Sequence, residues 1–171
     1  MKSIYINIAL FFVTIVISQT TFANDTLGTQ FNRISYSTGQ IEVLENLETI
    51  QSYGIEYQVT PFHIYGFEII PSLGYSHSED GTNYLYLSGR HDFRLSEGWI
   101  TTPLFGFGYF DDGEQIKLGH EVEFISGVEL TYEFYNRSRI GFKFVHLSNG
   151  GLSSTNPGTE VLSLTYSLPF D

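Results

Sequence analysis

The sequence predicts an all-β protein, an eight-stranded antiparallel transmembrane β-barrel, and three observations lead there. Tyr 12, Phe 15 and Gly 17 accompany only 42% hydrophobic residues, so apolar side chains must alternate with polar ones. Beyond the first twenty or so residues, no apolar run is long enough to cross a bilayer as a helix. The strand-like segments are also joined by connections that alternate between short and long, the pattern of a barrel with short periplasmic turns and long outward loops.

The opening segment is read separately. Lys2 precedes an apolar run from Ile4 to Ile17, and polar residues then lead to Thr21-Phe22-Ala23. This has the form of a secretory signal peptide, residues 1–23, cut after Ala23. Residues 24–171 remain as one domain without internal repeat or low-complexity linker. The formal charge of −11 becomes one unit more negative once Lys2 leaves, which makes nucleic acid an unlikely partner class. The absence of cysteine excludes disulfides and thiol chemistry.

Eight strands are expected, at 29–37, 53–60, 64–77, 83–95, 99–110, 119–135, 138–148 and 159–169. Thr60 to His63, Ser96 to Gly98 and Tyr135 to Ser138 form tight turns, whereas 38–52, 77–83, 110–119 and 148–159 are longer loops. In the sixth strand Val122, Phe124, Val128, Leu130, Tyr132 and Phe134 share one face, and Glu121, Glu123, Glu129, Thr131 and Glu133 share the other. The fifth repeats this with Phe105, Phe107 and Tyr109 against Gly106 and Gly108. Lipid outside and a charged lumen inside fit the pattern, with Arg90, Arg94, Arg139 and Lys143 neutralising the carboxylates. Eight strands enclose a narrow lumen, which Gly66, Gly74, Gly106, Gly108, Gly127 and Gly141 on the polar face would suit.

The chemistry-bearing segment is His146-Leu147-Ser148-Asn149-Gly150-Gly151, with Asn156-Pro157-Gly158-Thr159-Glu160 following it. Strand parity puts His146 and Ser148 with Ile140, Phe142 and Phe144 on the lipid side. Glu160 shares its face with Leu162, Leu164, Tyr166 and Leu168, so all three polar residues should meet near the outer rim. Polar groups on a lipid face are costly, so three together point to use. A histidine beside a serine and a carboxylate is the set that activates a hydroxyl for acyl transfer. Asn156 and, more weakly, Asn149 are candidate oxyanion donors.

The run H-L-S-N-G-G, then N-P-G and a glutamate fourteen residues after the histidine, resembles the signature of the lipid A 3-O-deacylase family of outer-membrane enzymes. The resemblance covers residues 24–171 in strand order and is sharpest from Phe144 to Phe170. It implies an outer-surface active site with His146 as general base, Ser148 as nucleophile and Glu160 as the acidic member. The bond cut would be the 3-position ester of lipid A, releasing a 3-hydroxy fatty acid. Where the family usually carries an aromatic residue between His and Ser, this chain has Leu147, which should face the lumen.

Partners on this reading are lipopolysaccharide in the outer leaflet and the outer membrane itself, with a homodimer left open, and no cofactor is implied. His63, His77, His91 and His120 lack metal-ligand spacing. Asp111, Asp112 and Glu114, like Glu79 and Asp80, read as solvated loop tips rather than calcium ligands. Two other functions compete: a noncatalytic outer-membrane barrel for adhesion or envelope integrity, and a soluble periplasmic lipid-binding barrel. An acyl hydrolase acting on phospholipid would carry the same triad.

Overall fold

The computed structural model describes residues 31–42, 44 and 49–170, and the predicted signal peptide and cleavage site lie outside them. Ten strands follow in order: β1 (Asn32–Ile41), β2 (Ile50–Gln58), β3 (Phe62–Ile64), β4 (Phe67–Ser78), β5 (Asn83–Arg90), β6 (Phe93–Ser96), β7 (Trp99–Asp111), β8 (Val122–Glu133), β9 (Arg139–Ser148) and β10 (Thr159–Phe170). Eight of them form one closed antiparallel ring, in which β1 pairs with β10 and β2 with β4. The short strands β3 and β6 only extend hairpins on β4 and β7.

Closure follows from the period-two pattern. Along β8, Glu123, Ile125, Glu129, Thr131 and Glu133 are buried, while Val122, Leu130 and Tyr132 are exposed. Phe105, Phe107 and Tyr109 likewise point out from β7. An exposed aliphatic and aromatic surface around the whole ring is stable only against hydrocarbon, and closing the ring pairs both edges of each of its eight strands.

Strand boundaries shift from the sequence reading by a few residues, and three differences matter. The first outward loop is shorter than 38–52, because β1 runs to Ile41 and β2 begins at Ile50. Gly39 is therefore not a turn residue; a Cβ there would collide with the Leu162 carbonyl on β10. The third barrel strand starts at Phe67, since Tyr65 and Gly66 both take positive φ, 50° and 82°, in a two-residue hairpin turn from β3. Gly66 is thus exposed at a turn rather than in the lumen. The fourth strand is interrupted at His91-Asp92, yet Arg90 opposite Leu104 and Phe93 opposite Thr101 keep one register.

The lumen has two layers. Its periplasmic half holds the expected charges: Arg90 bridges Glu56 and Glu129, Thr165 donates to Glu129 at 2.5 Å, and Lys143 lies 3.8 Å from Glu56. Glu56, which sequence reading passed over, is the hub, accepting also from Tyr86 at 2.8 Å and Gln58 at 2.9 Å. Gly74 makes room for this, because a Cβ there would strike the Tyr86 ring. The outer half is apolar instead, a cluster that includes Ile41, Tyr84, Phe110, Ile125, Val145 and Val161. Ile116 and Leu118, from the segment between β7 and β8, close it from above. Burying them there removes apolar surface from water and seals the outward end.

Glu121 precedes β8 and is exposed, so it takes no part in the lumen network. Glu123 is fully buried, and neither of its carboxylate oxygens has a hydrogen-bond partner among the described residues. Asp80 is buried too, contrary to a solvated loop tip. It accepts from Ser78 Oγ at 2.6 Å, Thr82 N at 3.1 Å and Ile116 N at 3.0 Å, so it ties the β4–β5 loop to the segment that closes the lumen. Burial works against its charge, but these donors prevail and hold the carboxyl down at about 2.

Candidate active site

Antiparallel pairing of β9 with β10 sets Glu160 directly opposite His146, and pairing with β8 sets Ser126 on the histidine's other side. Parity turns all three outward, as the sequence implied for His146 and Glu160. His146 Nδ1 lies 3.1 Å from Glu160 Oε1. A carboxylate only accepts, so Nδ1 donates this bond, and in the neutral ring Nε2 is then the acceptor nitrogen. The histidine side chain is 43% exposed and the glutamate 13%, leaving the ring accessible and its partner sheltered.

Ser148 stands two residues further up β9, on the same face and opposite Phe124. The residue is half-buried, and its hydroxyl forms no hydrogen bond with His146 among the described residues. One link of the expected triad is therefore made and the other is open. The surrounding outward face is apolar: Phe124 and Phe107 lie in register beside Ser148, and Phe144 and Leu162 lie one step below His146.

The loop from 149 to 158 corrects one expectation and sharpens another. Asn149 is not free to stabilise an oxyanion, because its side chain is fully buried on the lumen-side parity. Its Nδ2 donates to Leu118 O at 3.0 Å and Thr155 O at 2.8 Å, and its Oδ1 accepts from Gly151 N at 3.0 Å. It is a loop clamp. Asn156 is exposed, and its Oδ1 accepts from the Asn149 backbone N–H at 2.9 Å. That bond ties the amide to the backbone of the residue after Ser148, and Nδ2 has no hydrogen bond among the described residues. Leu147 is buried, facing the lumen as expected.

Two further residues shape the site: Gly158, which the sequence offered only as part of N-P-G, and Ser126, which it did not offer. Gly158, at φ 70°, packs against the imidazole; a Cβ there would lie 2.8 Å from His146 Cε1 and 3.3 Å from Nε2. The glycine thus keeps the ring's free nitrogen clear. Ser126 is the one small polar side chain among the outward residues of β8, and it stands in register beside His146. The N-P-G motif pointed at Gly158 without its reason, whereas nothing local marks Ser126.

The other histidines stay apart. His63 lies 3.8 Å from Glu68, His77 Nδ1 contacts Asn83 at 3.0 Å, His91 Nδ1 contacts Glu68 O at 2.6 Å, and His120 accepts from Val122 N at 2.8 Å.

A family model described as lipid A 3-O-deacylase (PagL) matches residues 51–169, which include every outward polar residue named above. The chain belongs to the lipid A 3-O-deacylase family. Among relatives of this family, lipid A deacylase PagL of Bordetella bronchiseptica is 32% identical over 54 residues, an alignment spanning 32% of this chain and only 30% of that relative. The crystal structure of the outer membrane enzyme PagL superposes with a TM-score of 0.64 at 19% identity, covering 81% of this chain and 99% of that one. A de novo designed transmembrane β-barrel matches with a TM-score of 0.50 at 11% identity, covering 83% and 97%. As a member of the lipid A 3-O-deacylase family, the chain is an outer-membrane barrel, which sets aside the soluble periplasmic alternative.

Proposed function

We propose that this protein hydrolyses the 3-O-linked acyl ester of lipid A, with Ser148 as nucleophile, His146 as base and Glu160 as the group that orients it. The observation that carries the reading is the His146–Glu160 pair, 3.1 Å apart on the outward face, with a serine two residues along the same strand.

Ser148 Oγ attacks the ester carbonyl carbon while its proton passes to His146 Nε2. Glu160 stabilises the imidazolium that forms. Charge develops on the former carbonyl oxygen, for which the Asn156 Nδ2 group and nearby backbone amides are the available donors. Collapse expels the sugar alkoxide, which takes the proton from His146. Water, deprotonated by the same nitrogen, then attacks the acyl-serine and releases a 3-hydroxy fatty acid and the free Ser148 hydroxyl. The open Ser148–His146 link fits this sequence, because such contacts tighten when substrate is seated.

Location supports the ester and the leaflet. The site sits on the lipid side near the outer rim, where an acyl chain anchored in the outer leaflet reaches it without leaving hydrocarbon. Apolar side chains Phe144 and Leu162 flank that approach. The test is mass spectrometry of lipid A from cells with and without the protein. Loss of one hydroxyacyl chain is the expected result. An unchanged spectrum from properly inserted protein would favour the noncatalytic barrel, and loss of phospholipid acyl chains instead would move the same triad to another substrate.

A further inference from the structure

Glu160, His146 and Ser126 stand in one register row across β10, β9 and β8, and Phe105 on β7 ends the row. Ser126 is exposed on the lipid face, and its hydroxyl forms no hydrogen bond among the described residues. Its neighbours are apolar. Phe124 and Val128 lie two residues to either side on the same face of β8, and the Phe105 and Phe124 rings stack at 6.2 Å beside it. A hydroxyl facing hydrocarbon without a partner is costly, and alanine would occupy the position at less cost. The triad does not need it either, since His146 has Glu160 on Nδ1 and Ser148 on its own strand.

The register says which part of a substrate this hydroxyl meets. Ser126 pairs with His146, two residues farther from the outward loop than Ser148, which pairs with Phe124. The sugar of an outer-leaflet lipid lies at the loop end and its acyl chains run toward the midplane, so Ser126 stands on the acyl side of the scissile ester. As diagonal neighbours on adjacent strands, the two serines are about 7 to 8 Å apart at Cα. A hydroxyl on the third carbon of the chain bridges that interval. It needs an attack contact of about 3 Å at the carbonyl carbon, the bonds out to the hydroxyl oxygen, and a hydrogen bond of about 2.8 Å.

We propose that Ser126 is a specificity-determining residue that recognises the 3-hydroxyl of the acyl chain, through a hydrogen bond in which either hydroxyl can donate. The inference rests on Ser148 as the nucleophile and adds the reason a hydroxylated chain is chosen. Beyond the hydroxyl, the chain continues over Val128 and Phe144, which share the next row with Leu162.

The test gives the purified barrel two glucosamine 3-O-esters in mixed micelles, one with a 3-hydroxytetradecanoyl chain and one with a tetradecanoyl chain. Wild type should cleave the hydroxylated ester with a kcat/KM roughly five- to tenfold higher, the effect of one net hydrogen bond. S126A should bring that ratio near one by slowing the hydroxylated ester. S126T, which keeps the hydroxyl, should preserve most of the ratio, and S153A in the outer loop should leave it unchanged. Equal rates on the two esters in wild type, or an unchanged ratio in S126A, would overturn the assignment. A loss in S126A shared equally by both esters would also overturn it, in favour of a role in placing His146. Cleavage of neither ester by wild type would bring down the deacylase reading and this inference with it, whereas cleavage of both at one rate would bring down this inference alone. Should S126A lose its heat-modifiable fold, S126C is close in volume with only a weak donor and should still lower the ratio; no change would refute the assignment.

Discussion

At the periplasmic end one glutamate, Glu133, is held by four arginines inside the barrel, whereas at the outer rim one glutamate, Glu160, holds one histidine on the lipid face. Both carboxylates are sheltered and both pair with a cation-forming side chain. The difference lies in what is left over. Around Glu133 the acceptor is saturated, an arrangement that locks β1, β6, β8 and β9 together. Around Glu160 the histidine has one ring nitrogen committed and the other without a partner among the described residues, with the serine two residues along the same strand. The charges around Glu133 are consumed by structure, and the outward rim holds polar groups that remain accessible.

The comparison breaks most sharply through substitution. Ser148→Ala and His146→Ala should each reduce deacylation by at least about a thousandfold while the protein keeps its heat-modifiable migration on gels. Glu160→Gln should retain more, with a loss on the order of 10² to 10⁴, because it only misorients the base. Full activity in any of the three would remove that residue from the mechanism. Glu133→Ala should do the reverse, leaving the site geometry alone but costing about 3 to 5 kcal/mol, since it strands buried guanidinium groups. Urea unfolding of the barrel reads this directly, and an unchanged midpoint would mean that the arginine network contributes little.

Smaller effects sharpen the outer rim. Gly158→Ala should lower activity by roughly 10- to 100-fold, because the added methyl meets the His146 ring and the position requires positive φ. A parental rate would show that the ring has room to shift. Asp80→Ala removes an acceptor for Ser78, Thr82 and Ile116 and should cost about 1 to 3 kcal/mol, with faster hydrogen exchange at the Ile116 amide. Because the folded carboxyl sits near 2, below its unfolded value, its stabilisation is full above about pH 4 and fades as pH falls toward 2. Protection of Ile116 that already vanished at pH 4 to 5 would contradict that clamp. Ser153→Ala, in the same outer loop as Asn156, should change nothing.

The barrel was legible because period-two alternation is local: Val122 to Glu133 announces both of its faces without any other strand. The rim placement of His146 and Glu160 followed from parity for the same reason, and the H-L-S-N-G-G run carried the family. What local pattern could not show depends on distant contacts. Gly39 looks like a turn until Leu162 is known to pass beside it, and Asn149 looks like a donor until Leu118 and Thr155 claim its amide. Asp80 looks solvated until Ile116, 36 residues away, arrives above it. The apolar outer layer of the lumen was hidden likewise, since Ile116 and Leu118 come from a segment that reads as loop.

Ser126 makes the central claim testable in the most direct way, because it is a second serine beside the same imidazole. Purified barrel is treated with a long-chain phosphonofluoridate, which reacts covalently with an activated serine, and the modified peptide is identified by mass spectrometry. A single adduct on Ser148, absent in His146→Ala, is the predicted result. An adduct on Ser126, or undiminished labelling and deacylation in Ser148→Ala, would contradict the assignment.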